Sequence, residues 1–498
     1  MKKIFLSAML LATLCTHAQN QNKLLDQDFW KGKPALALVQ QAVQDGNNPS
    51  QKNPMAFDAV VLAINNDAPV ETIQYLLAQK GNDVNKLTHD NRTYLFWAAA
   101  NGNVPVMQYL IEKGANVNFE DSHAMTPLSF AASGGQKDIE VYETLIKAGA
   151  NLKKQYANGS SLLLVAVGND SPDLPLTNYL LTKGFSMQDK DENGSTLFDY
   201  AARVGNIDLL KRLREKGIKP TANAMVMATQ GSRRSANTLD VYQYIAGTGI
   251  RPNTVNANGE NALHNLTKKM DQEKIIEWFV TNGADVNQQD KDGNTPFFNA
   301  AGARDAKVLA LLFPKVKNIN QINKEGVTPL ENAVQNGSVE TVQFLLEKGA
   351  DVEAKDKAGN NAAYYLIQSY KGKQTRGPRG GDNNDFAQKM KLLQDKGVDF
   401  KAAQANGNTL YHIAVAKADV NLLKELHPLQ LDVNAKNSEG LTPLLRAAMI
   451  SKDDTVLKYL IAAGAQKNIQ TDMDETAYDL AKQNEYLSQN NVSIDFLK

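Results

Sequence analysis

Residues 292–301 read Asp292-Gly-Asn-Thr-Pro-Phe-Phe-Asn-Ala-Ala301, and variants of this stretch return about every 33 residues from about residue 55 onward. The threonine is a good helix N-cap, and proline suits the first helical position because it has no N–H group to leave unbonded. A second helix follows with apolar residues at i, i+3 and i+4, as in Val342, Leu345 and Leu346. Gly349 then suits a left-handed C-cap. The pattern predicts stacked helix-turn-helix units.

The capping position can be followed through the chain. It falls on a serine, threonine or asparagine in each unit: Thr93, Thr126, Ser161, Thr196, Asn223, Asn261, Thr295, Thr328, Asn361, Thr409, Thr442 and Thr476. Most steps are 33 to 35 residues, but the step from Thr196 to Asn223 is 27 and the next is 38. The step from Asn361 to Thr409 is 48, which indicates an insertion, placed at residues 371–385.

These units closely resemble ankyrin repeats. Thr-Pro-Leu or Thr-Pro-Phe occurs four times, and Gly-Ala-Asn or Gly-Ala-Asp four times, at a coherent period. The histidine that the family usually carries after leucine is kept as His264 and His412, where we expect it to hydrogen-bond the backbone between adjacent repeats. The resemblance implies an all-α ankyrin-repeat solenoid of about 13 repeats including caps.

The repeat pattern also suggests domain boundaries. Residues 55–472 form the predicted array, and residues 19–54 lack the motif but contain the apolar residues of one helix pair, which predicts an N-terminal helical cap. Residues 473–498 begin a repeat and then become polar, which predicts a C-terminal capping repeat.

The first residues have the features of a secretory signal peptide. Lys2 and Lys3 precede an apolar run that ends at Cys15, and Thr16-His17-Ala18 offers small residues to a signal peptidase. We expect residues 1–18 to be removed after Ala18 and the mature chain to be periplasmic or secreted from a bacterium. Two alternatives remain: a cytosolic chain with an apolar start, and a lipoprotein modified at Cys15, which Leu14 fits poorly.

Composition and missing motifs exclude several functional classes. The 54 basic and 54 acidic residues cancel, so the chain lacks the charge that attracts nucleic acids or anionic membranes. Cys15 is the sole cysteine, so a mature chain has no disulfide or thiolate metal site. Gly-x-Ser-x-Gly, His-Glu-x-x-His and dinucleotide fingerprints are absent, and Gly372-Lys373 is followed by Gln374, which a P-loop does not allow. We therefore expect no enzymatic activity, cofactor, metal or membrane insertion.

The candidate partner-binding residues lie mainly in the hairpin tips, the loops between the second helix of one unit and the first helix of the next. They are Asp90, Arg92, Phe119, Asp121, His123, Tyr156, Asp189, Asp290 and Asp356, with Arg376 and Arg379 from the insertion. Phe119 and Tyr156 are the aromatics expected to be exposed. The acidic residues have a second interpretation, which we favour: they stabilise the turn by bonding their own backbone. His89 and His123 lie on tips about 10 Å apart, too far for a shared metal ion.

The resemblance implies a scaffold that holds an unidentified protein partner along its concave face and hairpin tips, and we expect the chain to be a monomer. One alternative is a carbohydrate-binding module that uses first-helix aromatics on the concave face: Phe96, Trp97, Phe297, Phe298, Tyr364, Tyr365 and Tyr411. The other is an inhibitor or regulator of an exported enzyme that acts through the 371–385 loop.

Overall fold

The computed structural model describes residues 22–231, 236–372 and 383–498. Within these ranges the chain forms α-helices, short 3₁₀ turns and no β-strand, which confirms the predicted all-α fold. Two compact units are present. The first runs up to Asn237 and includes Gln243–Thr248, and the second comprises Thr238–Tyr242 and Gly249–Lys498.

In the first unit, helices alternate between the first and second position of each repeat. Their bounds are α1 Gln27–Lys31, α2 Leu36–Gln44, α3 Ala59–Asn65, α4 Val70–Leu77, α5 Tyr94–Ala100, α6 Val104–Glu112, α7 Pro127–Ser133, α8 Ile139–Lys147, α9 Leu162–Val167, α10 Pro175–Thr182, α11 Leu197–Val204, α12 Ile207–Glu215 and α13 Asn223–Ala228. Helix α14, Leu239–Gly247, contains residues of both units. First helices pack in series from α3 to α13, so each repeat buries its apolar face on the next.

The second unit repeats this arrangement. Its helices are α15 Leu263–Leu266, α16 Glu273–Thr281, α17 Pro296–Gly302, α18 Ala306–Leu312, α19 Pro329–Asn336, α20 Val339–Glu347, α21 Ala362–Ser369, α22 Asn383–Asp395, α23 Leu410–Val415, α24 Val420–Leu426, α25 Pro443–Ile450, α26 Thr455–Ala462, α27 Ala477–Gln483 and α28 Glu485–Gln489. Helix α22 packs on both α20 and α21. The insertion therefore lies between the two helices of one repeat, α21 and α22, and not in a hairpin tip.

The predicted N-caps are confirmed at ten of the twelve positions. Thr295 and Thr328, for example, accept hydrogen bonds through their hydroxyl groups from backbone N–H groups of the first turn. Two assignments are each wrong by one residue, because Ala222 and Ala262 are the caps. Asn223 is itself the first residue of α13, in the shortened repeat, and α15 begins at Leu263, although Asn261 still accepts a hydrogen bond from the Leu263 N–H group at 3.1 Å.

The core is mostly aliphatic and is closed at the N-terminal side by a helix pair. Trp30 and Leu24 are fully buried, and the Trp30 indole N–H group donates to the Leu24 carbonyl at 2.9 Å. Helices α1 and α2 contact α3 and α4, respectively. At the second-helix C-terminus, Gly349 adopts φ +83°, the left-handed conformation that the sequence predicts.

Candidate interaction surface

Many hairpin tips are tight turns organised by one Asp or Asn side chain, which lies five residues before the helix cap. In the tip before Thr126, Asp121 Oδ1 accepts hydrogen bonds from the His123 and Met125 N–H groups at 2.8 and 2.9 Å. The same bonds recur at Asp191, Asn256, Asp290, Asn323, Asp356 and Asn437. The interpretation that acidic tip residues bond their own backbone is confirmed for Asp121, Asp290 and Asp356. The carboxylates of Asp90 and Asp189 instead contact Arg92 and Ser161.

Several pairs of neighbouring tips within each unit are joined by backbone hydrogen bonds. The Ser122 N–H group donates to the Asp90 carbonyl at 2.9 Å, and the Lys324 N–H group donates to the Asp292 carbonyl at 2.8 Å. Gly293 permits this approach, because it has φ +80° and a Cβ atom there would lie 2.8 Å from the Lys324 nitrogen. The tips thus form a pre-ordered edge.

In the first unit, Arg92 forms ion pairs with two other predicted residues, Asp90 and Asp121. Its Nη1 lies 2.9 Å from Asp90 Oδ2 and its Nε lies 2.8 Å from Asp121 Oδ2. The guanidinium stacks 4.3 Å from the centre of the Phe130 ring. Arg92 and Asp121 are buried, so their role is to hold two consecutive tips together. The expectation that they face a partner is wrong for both side chains.

The two tip histidines approach the same carboxylate. Nε2 of His89 and Nε2 of His123 each lie 3.5 Å from Asp90 Oδ2, and the His123 side chain is 61% exposed. The His123 side chain is therefore accessible at the surface of this tip. No group of three His, Cys, Asp or Glu residues suited to a metal ion occurs in the described part of the chain.

The two tip aromatics differ in exposure. Phe119 is partly exposed, whereas the prediction that Tyr156 is exposed is wrong: it is 9% exposed, and its hydroxyl lies 3.3 Å from Thr126 Oγ1. Tyr156 occupies the turn position that Asp121 occupies one repeat earlier. The Tyr156 side chain therefore reaches back to the cap of the preceding first helix, which the sequence pattern does not reveal.

The remaining predicted acidic residues are half-buried. Asp189 accepts a hydrogen bond from Ser161 Oγ at 3.0 Å, and Asp356 accepts one from the Tyr365 hydroxyl at 2.7 Å. Partial burial would raise the pKa of Asp356, but hydrogen bonds from Asn360 and Tyr365 outweigh it and lower the pKa. The bond at Asp189 joins one repeat to the next tip, and the bond at Asp356 links a tip to the first helix that follows it.

Known protein families include one that matches most of this chain. A family model described as ankyrin repeats (3 copies) matches residues 60–156, 135–224, 263–356 and 381–487, well over half of the sequence. The chain belongs to the ankyrin-repeat family. Ankyrin repeats are interaction scaffolds for proteins and are typically non-catalytic. No helix in the described ranges is both long enough and apolar enough to span a bilayer.

Two curated relatives share a short stretch with this ankyrin chain. They are proteins named "Potassium channel AKT1" from Oryza sativa subsp. indica and subsp. japonica, each 36% identical over 61 residues. The match covers 12% of this chain and 6% of each channel. The chain therefore spans only a small fraction of the curated relatives that it matches.

The family histidines act as predicted within the ankyrin array. The Thr409 N–H group donates to His412 Nδ1 at 3.1 Å, which leaves the proton on Nε2, and Nε2 donates to the Leu441 carbonyl of the next repeat at 2.8 Å. His264 bridges Asn261 and Asn294 in the same way. Burial lowers the pKa of both histidines, so both stay neutral and structural.

Arg376 and Arg379 lie outside the described residues, but the ends of their insertion border a cavity of about 150 Å³. Arg304 Nη2 lies 3.2 Å from Asp385 Oδ2 at this cavity. Lys389 is buried there and donates to the carbonyls of Ala333, Val334 and Gly337 at 3.3, 3.0 and 2.7 Å. All three ammonium protons are used, so Lys389 caps the C-terminus of α19.

First-helix aromatics lie in the core. Phe96, Trp97, Phe297, Phe298, Tyr365 and Tyr411 are all at most 9% exposed, and Tyr364 alone of the seven is more accessible. The carbohydrate-binding alternative expected a row of exposed aromatics on this face. These buried residues do not supply it.

Sequence reasoning missed three exposed lysines that occupy the same tip position. Lys291, Lys324 and Lys357 each lie four residues before a helix cap, at Thr295, Thr328 and Asn361. When the repeats are aligned on their helix caps, the three lysines fall in the same column, so the sequence contains the information needed to find them. The residues that we predict for the tips are acidic, aromatic or histidine side chains and one arginine, Arg92, and they include no lysine.

Proposed function

We propose that this ankyrin-repeat protein is a non-catalytic scaffold that binds a protein partner through its hairpin tips and the adjoining face of the first helices. The observation that carries the proposal is the pre-ordered edge of tips. Most of these turns are closed by an Asp or Asn side chain, and several neighbouring turns are joined by backbone hydrogen bonds such as that from Ser122 to Asp90. A preformed surface loses little ordering entropy when it binds.

Side chains available on this edge suit protein contact. In the first unit, His123 is exposed and Phe119 is partly exposed, one on each side of the buried Asp121. Aromatic groups beside polar groups are common where proteins bind tightly. Buried Arg92 supports the proposal indirectly, because it fixes the backbone that presents His123.

We propose further that the chain is exported, with residues 1–18 removed after Ala18, and works as a monomer in the periplasm of a Gram-negative bacterium. The basic start, the apolar run and the small residues before Gln19 support export. These residues lie outside the described ranges. Sequencing of the mature N-terminus tests this part: a chain that starts at Gln19 agrees with it, and an intact Met1 contradicts it.

The partner-binding proposal is tested by capture from an envelope extract, followed by reconstitution. Mature protein is compared with the tip variant Phe119→Ser/His123→Ala and with a control, Gln108→Ala/Glu112→Ala, whose exposed residues lie on second helix α6. A protein captured by the wild type is purified, and its affinity for all three chains is measured by calorimetry. We expect the tip variant to bind at least tenfold more weakly and the control to bind as the wild type does.

Two outcomes contradict the proposal. Equal affinity of both variants would place the binding surface elsewhere. Conversion of the captured protein or of a small molecule by the purified chain would show an enzyme.

A further inference from the structure

Three lysines form a row along the tips of the second unit. Lys291, Lys324 and Lys357 come from three consecutive repeats, and each side chain is exposed. None of them forms an ion pair with a carboxylate in the described residues, whereas Lys154, on a tip of the first unit, lies 2.6 Å from Glu120. The row therefore presents three cations whose charges are not neutralised by a partner within the protein.

The backbone fixes the spacing of the row. The Lys291 N–H group donates to the Asn258 carbonyl at 2.7 Å, that of Lys324 to Asp292 at 2.8 Å, and that of Lys357 to Glu325 at 2.9 Å. These equivalent bonds place the three lysines in register. Since packed helices lie about 10 Å apart, successive lysines are also about 10 Å apart.

Residues next to the lysines make the row selective. Asp292 and Glu325 directly follow Lys291 and Lys324, and Ala358 follows Lys357. A densely charged polyanion would meet these carboxylates as well as the lysines, and like charges at close range oppose binding. A chain whose negative charges are spaced to match the lysines avoids that repulsion.

We propose that Lys291, Lys324 and Lys357 bind an extended segment of a protein partner that carries an acidic residue at every third position. A polyproline II helix has three residues per turn and rises about 3.1 Å per residue, so such acidic residues share one face about 9 Å apart. This spacing matches the row. The proposal rests on the proposed function, since it specifies the chemistry of the partner at one part of the tips.

The probe is a fluorescein-labelled peptide of five Glu-Pro-Pro repeats, and the comparison peptide has the same composition with its five glutamates in one run. Binding to the mature protein is followed by fluorescence anisotropy at low and at physiological salt. The variant is Lys291→Gln/Lys324→Gln/Lys357→Gln. Its matched control, Lys274→Gln/Lys307→Gln/Lys424→Gln, removes the same charge from exposed positions of second helices α16, α18 and α24.

We expect the spaced peptide to bind the wild type and the control variant equally, and the row variant about tenfold more weakly, as three exposed ion pairs would give. We also expect the contiguous peptide to bind more weakly than the spaced one. No binding of the spaced peptide, equal binding by the two variants, or preference for the contiguous peptide would each overturn the inference. If the spaced peptide fails while Phe119 and His123 are still needed for the captured partner, the proposed function stands without it.

Discussion

The ammonium nitrogen of Lys389 lies 2.7 Å from the carbonyl oxygen of Gly337, although the two residues are separated by α20, α21 and the insertion. In the last repeat an amide side chain caps the equivalent helix end, because Asn484 donates to the carbonyls of Ala448 and Ser451 at 3.0 and 2.9 Å. At the end of α19 the Lys389 ammonium group makes the bonds that the Asn484 amide makes at the end of α25, although Lys389 follows the insertion in sequence. Its contact keeps α19 capped where the repeat is interrupted.

Replacement of Lys389 by Met should lower the free energy of unfolding by about 3 kcal/mol, since three buried carbonyls lose their donor. Burial lowers the pKa of Lys389 to about 8, so the group is still mostly charged at neutral pH. Chemical denaturation followed by circular dichroism measures the change. Lys391→Met, on the exposed side of the same helix, is the control and should shift stability by less than about 0.5 kcal/mol. Equal effects would show that the cap is unimportant.

Glu331 should make the second unit less stable as pH rises. Burial raises its pKa to about 7, with the charges of Asp356 and Asp351 adding to the effect, and Oε1 is buried without a hydrogen-bond partner. The folded state keeps the proton that the unfolded state releases near pH 4.5, so stability falls between about pH 4.5 and 7.

Glu331→Gln removes this charge and should raise stability at pH 8 by about 2 kcal/mol, with little change at pH 5. Melting temperatures at the two pH values give the comparison. Glu325→Gln, at an exposed tip position, is the control. A gain of the same size at both pH values would contradict the assignment of the pH dependence to Glu331.

Arg92→Lys should destabilise the first unit by about 3 kcal/mol, because an ammonium cannot reach both Asp90 and Asp121 and stack on Phe130. Thermal melting and amide exchange in the tips measure the loss. Arg214→Lys, at an exposed position of α12, should leave both unchanged. If Arg92→Lys has the same melting temperature as the wild type, the ion pairs of Arg92 do not hold the two tips together.

Gly293→Ala should cost about 2 kcal/mol, more than Gly349→Ala at about 1 kcal/mol. Both glycines have φ near +80°, but only at Gly293 would the new methyl group meet backbone, 2.8 Å from the Lys324 nitrogen. No atom lies within 4 Å at Gly349. Denaturant titration of the two variants separates the contact from the shared backbone strain, and equal losses would show that the tips are not tightly joined.

The sequence predicted features that depend on local chemistry. Thr295 and Thr328 could be assigned as caps because capping needs only a hydroxyl before an apolar helix, and His412 because its partner always lies one repeat away. Tyr156 was misjudged because the direction of a tip side chain depends on its place within the turn. Lys389 was missed because its partners lie across an insertion, at a distance that no repeat period reveals.

The most direct test of the scaffold account is photo-cross-linking in the producing cell. A benzoylphenylalanine placed at 119 samples the hairpin tips, and one placed at 108 samples the exposed side of a second helix. We expect the probe at 119 to capture a discrete protein adduct and the probe at 108 to capture none. An adduct from 108 alone would contradict the assignment of the tips as the binding surface.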